Sequence, residues 1–104
     1  MPVTTIAGRE IHVDEEGFLT VYDEWDPDLA KELATGIGID LTDAHRKAID
    51  FLRQDYAAQG ETATLRRVST VGGIPTKELF ALFPKKPAKK MAYIAGLPKP
   101  HGCV

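Results

Sequence analysis

The spacing of apolar residues changes period along this chain. In TTIAGREIHVD, Ile11 and Val13 alternate with polar neighbours. That is the period of half-buried strands, and it predicts two short strands around Ala7-Gly8. DEEGF follows as a turn in which Gly17 is free to take positive φ. FLTVYDEW predicts a further short extended segment. From there the period is helical. Asp26 or Asp28 can cap a helix from about Pro27 to Ala34, stopped by Gly36 and Gly38. LTDAHRKAIDFLRQDYAAQG carries the clearest helix, with Thr42 as N-cap and Gly60 as stop. His45, Ala48, Ile49, Leu52 and Tyr56 share one face of it by three-and-four spacing. A further helix is predicted over Thr62 to Thr70, broken by VGG. Pro75 or Thr76 starts another through TKELFALF, ended by Pro84. Pro87, tolerated in a first turn, opens the last, PAKKMAYIA, and Gly96 ends it.

GLPKPHGCV, the stretch after that helix, cannot be helical. Pro98 and Pro100 lack N–H donors and push Leu97 and Lys99 to extended geometry. Gly102 supplies a swivel before Cys103. The expectation is one domain over residues 1–95 and a flexible C-terminal arm over 96–104 that presents the thiol.

Composition narrows the function classes. A length of 104 residues suits one domain, and 43% hydrophobic with 27% charged residues is the profile of a soluble globule. No apolar run is long enough to cross a membrane as a helix. The start, MPVTTIAGRE, lacks a basic segment followed by an apolar one, so no signal peptide is expected. A single cysteine cannot form an intrachain disulfide, which favours a reducing, cytoplasmic location. The net charge of −2 conceals an asymmetry: residues 1–60 hold 13 acids and 5 bases, residues 61–104 hold 2 acids and 8 bases. The basic half suits an acidic partner, a nucleic acid or the protein's own acidic half.

Cys103 is the candidate reactive group. A lone cysteine is commonly a buried small hydrophobe, but a position after Pro-x-Pro and Gly is rarely packed deeply. Lys99 and a protonated His101 would lower its pKa, and the carboxylate of Val104 would raise it. A metal site needs more ligands, and His12, His45 and His101 show no ligand-like spacing to the thiol, so neither metal nor cofactor is expected. A protease needs a base held against the nucleophile, which a mobile tip cannot provide. A mobile thiol is suited to accepting a group from one protein and presenting it to another. Two rivals stand beside this reading. TLRRVSTVGGIPTKELFALF outlines a helix-turn-helix, with Arg66, Arg67 and Lys77 available to phosphates; but the second helix carries Glu78 and ends in apolar residues, so direct nucleic-acid binding is not expected. The other is a redox-regulatory or scaffold protein in which the thiol carries no group.

LFPKKPAKKMAYIAGLPKPHGCV resembles the C-terminus of the DsrC/TusE family, the gamma-subunit-like proteins of dissimilatory sulfite reductase and the TusE sulfur-relay proteins. AGREIHVDEEGFLTVYDEWDPDLA resembles the family's N-terminal segment, and LTDAHRKAIDFLRQDY its central helix. The resemblance implies a mainly α fold: a small orthogonal helical bundle with an N-terminal β-hairpin and a swinging arm. It implies a persulfide on Cys103, relayed between sulfur-donor and sulfur-acceptor proteins of the Tus, DsrEFH, sulfite reductase or tRNA-thiolase kind. His101, Gly102 and Lys99 flank that thiol as supporting candidates. Arg66 and Arg67 are candidates to line a groove for the arm, with ordinary surface charge as the alternative. Lys85, Lys86, Lys89 and Lys90 at the arm's root suit docking on an acidic donor or stabilising a persulfide anion, and equally a solvated helix face. Two departures stand out. Ala92 occupies the position, eleven before Cys103, where sulfite reductase partners of this family carry a second cysteine. The stretch VSTVGGIPTKELFA is also shorter than expected of the family.

Overall fold

The computed structural model describes residues 3–6 and 8–99. Strands β1 (Val3–Ile6) and β2 (Arg9–His12) pair antiparallel, with Val3 opposite His12 and Ile6 opposite Arg9. Gly8 closes the hairpin at φ +77°, where a Cβ-bearing residue is strained. Asp14 organises the next turn. Its carboxylate accepts the N–H groups of Glu16 and Phe18 at 2.8 and 3.0 Å, with Gly17 at φ +89°.

The extended segment expected over Phe18–Trp25 is largely absent. Leu19 forms one bridge to Val13, and Tyr22–Glu24 then winds into a 3-10 turn. The turn brings the Glu24 carboxylate back onto β2, where it accepts the His12 N–H at 2.9 Å and sits 2.7 Å from the His12 ring.

Five helices follow among the described residues. Helix α1 (Pro27–Gly36) is capped by Asp26, whose side chain accepts the Leu29 N–H. It runs through Gly36, and the left-handed residue that ends it is Gly38 at φ +77°. Helix α2 (Asp43–Gln59) has Thr42 as N-cap and Gly60, at φ +78°, as C-cap. Helix α3 (Leu65–Thr70) starts three residues later than the sequence suggested. Thr64 caps it, and Thr62 is buried and used elsewhere. Helices α4 (Thr76–Leu82) and α5 (Pro87–Ile94) complete the bundle.

Helix α5 is the centre of the bundle, packing on α1, α2 and α4. The larger core gathers Ala48, Ile49 and Leu52 of α2 with Val68, Leu79, Phe83, Met91 and Ile94. A second cluster clamps the hairpin onto α1 through Ile11, Val13, Leu19, Leu29 and Leu33. Trp25 and Tyr93 pack against both clusters and join them. His45 ties α2 to α4. Its ring Nδ1 accepts the Thr42 N–H at 3.1 Å, and Nε2 donates to the Leu82 carbonyl at 2.7 Å.

Candidate functional site: the root of the C-terminal arm

The chain leaves α5 through a hydrogen-bonded stop. The Gly96 N–H donates to the Tyr93 carbonyl at 3.3 Å and the Leu97 N–H to the Ala92 carbonyl at 3.0 Å, the paired bonds of a Schellman cap. Gly96 sits at φ +70°, and a Cβ there would lie 2.5 Å from Cδ1 of Trp25. Only glycine satisfies both the dihedral and the approach of the indole.

Three side chains hold this stop in place. Trp25 Nε1 donates to the Ile94 carbonyl at 2.8 Å. Arg53 Nη1 donates to the Ala95 carbonyl at 2.7 Å, and Nη2 to the Tyr22 carbonyl at 3.2 Å. The Arg53 guanidinium also lies 4.0 Å from the Tyr22 ring centre and 4.1 Å from that of Trp25. Burial lowers the Arg53 pKa from its ordinary value, yet a guanidinium stays charged, so the C-terminal end of α5 faces a fixed cation. Thr62 Oγ1 donates to the Pro98 carbonyl at 2.8 Å.

The packed body therefore continues past the expected limit at residue 95. Gly96 and Leu97 are buried, and Leu97 is part of the larger core. Burying a leucine is worth about 1.5–3 kcal/mol. The next contact is Lys99 Nζ to Glu16 Oε1 at 3.2 Å, an exposed pair worth at most about 1 kcal/mol. Leu97 anchors the segment to the core, and the Lys99 pair adds little.

Two clefts flank this exit. One, of about 190 Å³, is lined by Asp55, Gln59, Glu61, Thr62, Ala63, Thr64 and Arg67. The other, of about 420 Å³, has Phe18, Ile37 and Tyr93 with Lys86, Lys89, Lys90 and Glu16. Pro98 touches a residue of the first and Lys99 a residue of the second. Burial raises the Tyr93 pKa, which favours the neutral phenol.

The candidate residues divide clearly. Cys103, Gly102 and His101 lie outside the described residues. Lys99 is at the root, paired with Glu16. Lys89 is half-buried in the larger cleft. Arg67 lines the smaller cleft and is spent on Asp55, with bonds of 2.8 and 2.7 Å to the buried carboxylate. Arg66 is exposed on α3, apart from that pair. The helix-turn-helix outline is real as geometry, α3 and α4 joined across Val71–Pro75. As a nucleic-acid reader it is not favoured: one of its arginines is already committed, and its second helix exposes Glu78 and Phe80. Sequence reasoning missed Arg53, Thr62 and Asp55. The one available signal was Asp55 and Arg67 as charged residues beside apolar helix faces.

The model of the DsrC-like protein family matches residues 5–104. The chain belongs to the DsrC-like family. It is 40% identical over 105 aligned positions to the gamma subunit of dissimilatory-type sulfite reductase from Nitratidesulfovibrio vulgaris, all of both chains being covered. It is 38% identical over 104 positions to the sulfurtransferase TusE of Sodalis glossinidius, covering 93% of this chain and 96% of that one. Among solved structures, that of dissimilatory sulfite reductase I (DsrI) superposes with a TM-score of 0.83 at 41% identity, covering 99% of this chain and all of that one. The mainly α bundle with an N-terminal hairpin is thus the DsrC fold. The expected shortening before Leu82 needs correcting for one branch. The gamma-subunit relative aligns end to end in 105 positions against 104 residues, which leaves no room for a longer segment. Against TusE, 93% of this chain, about 97 residues, is spread over 104 positions, so length differs there. No helix among the described residues of this DsrC-like chain is long and apolar enough to cross a membrane.

Proposed function

We propose that this chain is a sulfur carrier that holds sulfane sulfur as a persulfide on Cys103 and passes it between partner proteins. The observation that carries the reading is the arm's root: the segment that leads to Cys103 issues from a stop clamped by Trp25, Arg53 and Leu97. A fixed root with a reach of four residues from Lys99 to Cys103, at most about 14 Å, lets a thiol enter a partner's pocket without unfolding the carrier.

The exchange balances without an oxidant. The Cys103 thiolate attacks the outer sulfur of a donor persulfide. The donor's S–S bond breaks, its thiolate leaves, and Cys103 becomes a persulfide. An acceptor thiolate then attacks that outer sulfur and releases Cys103 as thiolate. Rates follow thiolate fraction, leaving group and access. Ala92 stands where a second thiol would be, so a cycle ending with two thiols bridged through sulfur cannot run within this chain. The one-thiol relay needs only Cys103, with His101 and Lys99 as the basic residues nearest to it in sequence. The relatives' names support two settings, a sulfite reductase pathway and a TusE-type relay. The partners are sulfur-donor and sulfur-acceptor proteins of one of them, in a reducing cytoplasmic compartment.

The test is intact-mass spectrometry after incubating reduced protein with a persulfide donor, with Cys103→Ser alongside. A gain of about one sulfur atom on the wild type alone, reversed by reductant, is expected. No gain with a titratable thiol across several donors overturns the reading.

A further inference from the structure

Among the described residues, most of the basic charge in the second half of the chain has no acidic partner. Of its eight bases, Arg67 pairs with Asp55 and Lys99 with Glu16; the others form no ion pair among the described residues. Three of them, Lys86, Lys89 and Lys90, line the cleft of about 420 Å³ beside the arm's root, over an apolar floor of Phe18, Ile37 and Tyr93. Glu16 is the acid at this rim, and Lys99 already neutralises it. Lys90 donates to the Pro84 carbonyl, which fixes its ammonium at the loop before α5.

The backbone at this rim is itself unusual. Lys85 and Lys86 both adopt positive φ, +58° and +35°, between Pro84 and Pro87. Such conformations are costly for residues with a Cβ and cluster at binding sites, where surrounding structure holds them. Here they place Lys86 on the cleft wall.

We infer that this cleft is the docking site for a partner's acidic segment carrying an apolar side chain, the carboxylates meeting Lys86, Lys89 and Lys90 and the apolar group resting on Ile37, Phe18 and Tyr93. The partner's identity as a relay protein rests on the sulfur-carrier reading; the chemistry of the site does not. Lys99 bonds a residue of the rim, so a protein seated here faces the arm as it leaves the body. Charge selects the partner and steers the encounter, and the apolar anchor supplies register.

The probe is a capped eight-residue peptide with six glutamates flanking a central leucine pair, titrated into full-length protein and followed by amide chemical shifts. Saturable shifts are expected at Glu16–Phe18, Ile37 and Lys86–Tyr93, weakening as salt rises. The combined variant Lys86→Gln, Lys89→Gln, Lys90→Gln should bind about tenfold more weakly, as should Ile37→Asp, with melting curves checking the fold. A peptide with lysines for glutamates, or serines for leucines, should bind far less. Shifts elsewhere, none at all, or binding that survives the lysine variant overturn the proposal. Equal shifts from inorganic sulfate alone overturn it in favour of a simple anion site. Cys103→Ser should bind the peptide as wild type does, so a failed sulfur-transfer test and a failed docking test are told apart.

Discussion

Replacing Gly96 with alanine tests whether the arm's root is as rigidly specified as its geometry implies. Two costs are separable. The first is the dihedral: φ is +70°, and left-handed geometry costs a Cβ-bearing residue about 1–2 kcal/mol. The second is contact. The new methyl would lie 2.5 Å from Cδ1 of Trp25 and 2.9 Å from its Cβ and Cγ, so the indole must move. Forcing atoms into a packed site costs about 1–3 kcal/mol. Moving the indole also loosens its 2.8 Å bond to the Ile94 carbonyl, worth about 0.5–1.5 kcal/mol. Reduced entropy of the unfolded chain returns about 0.4–1 kcal/mol. The expected net loss is about 1.5–6 kcal/mol, a large share of the ~5–15 kcal/mol typical of a domain. Gly60→Ala is the control, because Gly60 has φ +78° with nothing within 4 Å of the built Cβ. It should cost about 1 kcal/mol. Urea denaturation read by tryptophan fluorescence measures both, and Trp25, the sole tryptophan, also reports its own displacement in the folded state. Equal losses for the two variants, with unchanged native fluorescence, would refute the claim that Trp25 enforces glycine at the root.

Thr62→Val removes the bond to the exposed Pro98 carbonyl, which water can replace; stability in urea denaturation should fall by only about 0.5–1 kcal/mol, and a larger loss would contradict that replacement. Arg67→Ala should lower the melting temperature clearly more than Arg66→Ala, because it strands the buried Asp55 carboxylate; equal effects would contradict the pairing. Acid should destabilise the hairpin–α1 junction. The Glu24 pKa is lowered chiefly by the His12 N–H, and that of Asp26 chiefly by the Leu29 N–H. Their contribution is therefore full above the ordinary values of 4.5 and 3.8 and is lost as pH falls through the depressed folded values. Melting temperature should hold steady down to about pH 5 and drop below about pH 4. Asp26→Asn, which keeps a capping oxygen, should show a shallower drop in melting scans.

Local physics explains why much of this molecule is legible in its sequence. Hairpin, caps and helix stops depend on neighbours in the chain: Asp26 and Thr42 cap within three residues, and Gly8, Gly38, Gly60 and Gly96 mark left-handed turns. The same locality made Cys103 readable as the candidate thiol, since chemistry follows residue type and Pro-x-Pro follows backbone geometry. Failures occurred where a distant partner overrode local preference. Phe18–Trp25 looked extended, but Glu24 turns back to meet His12. Thr62 looked like a helix start, but it bonds Pro98, thirty-six residues on.

The root of the arm belongs wholly to tertiary structure. Arg53 sits on a helix among charged neighbours and reads as surface, until α5 brings the Ala95 carbonyl to it and the Tyr22 and Trp25 rings stack on it. Sequence alone determined that a thiol follows a helix stop and two prolines. Folding decided where that stop is clamped, that Leu97 is core, and that Lys86, Lys89 and Lys90 converge on an apolar cleft beside it. The physical reason is range: capping and dihedral preferences act within a turn of chain, whereas desolvation, stacking and charge convergence depend on which segments the core brings together.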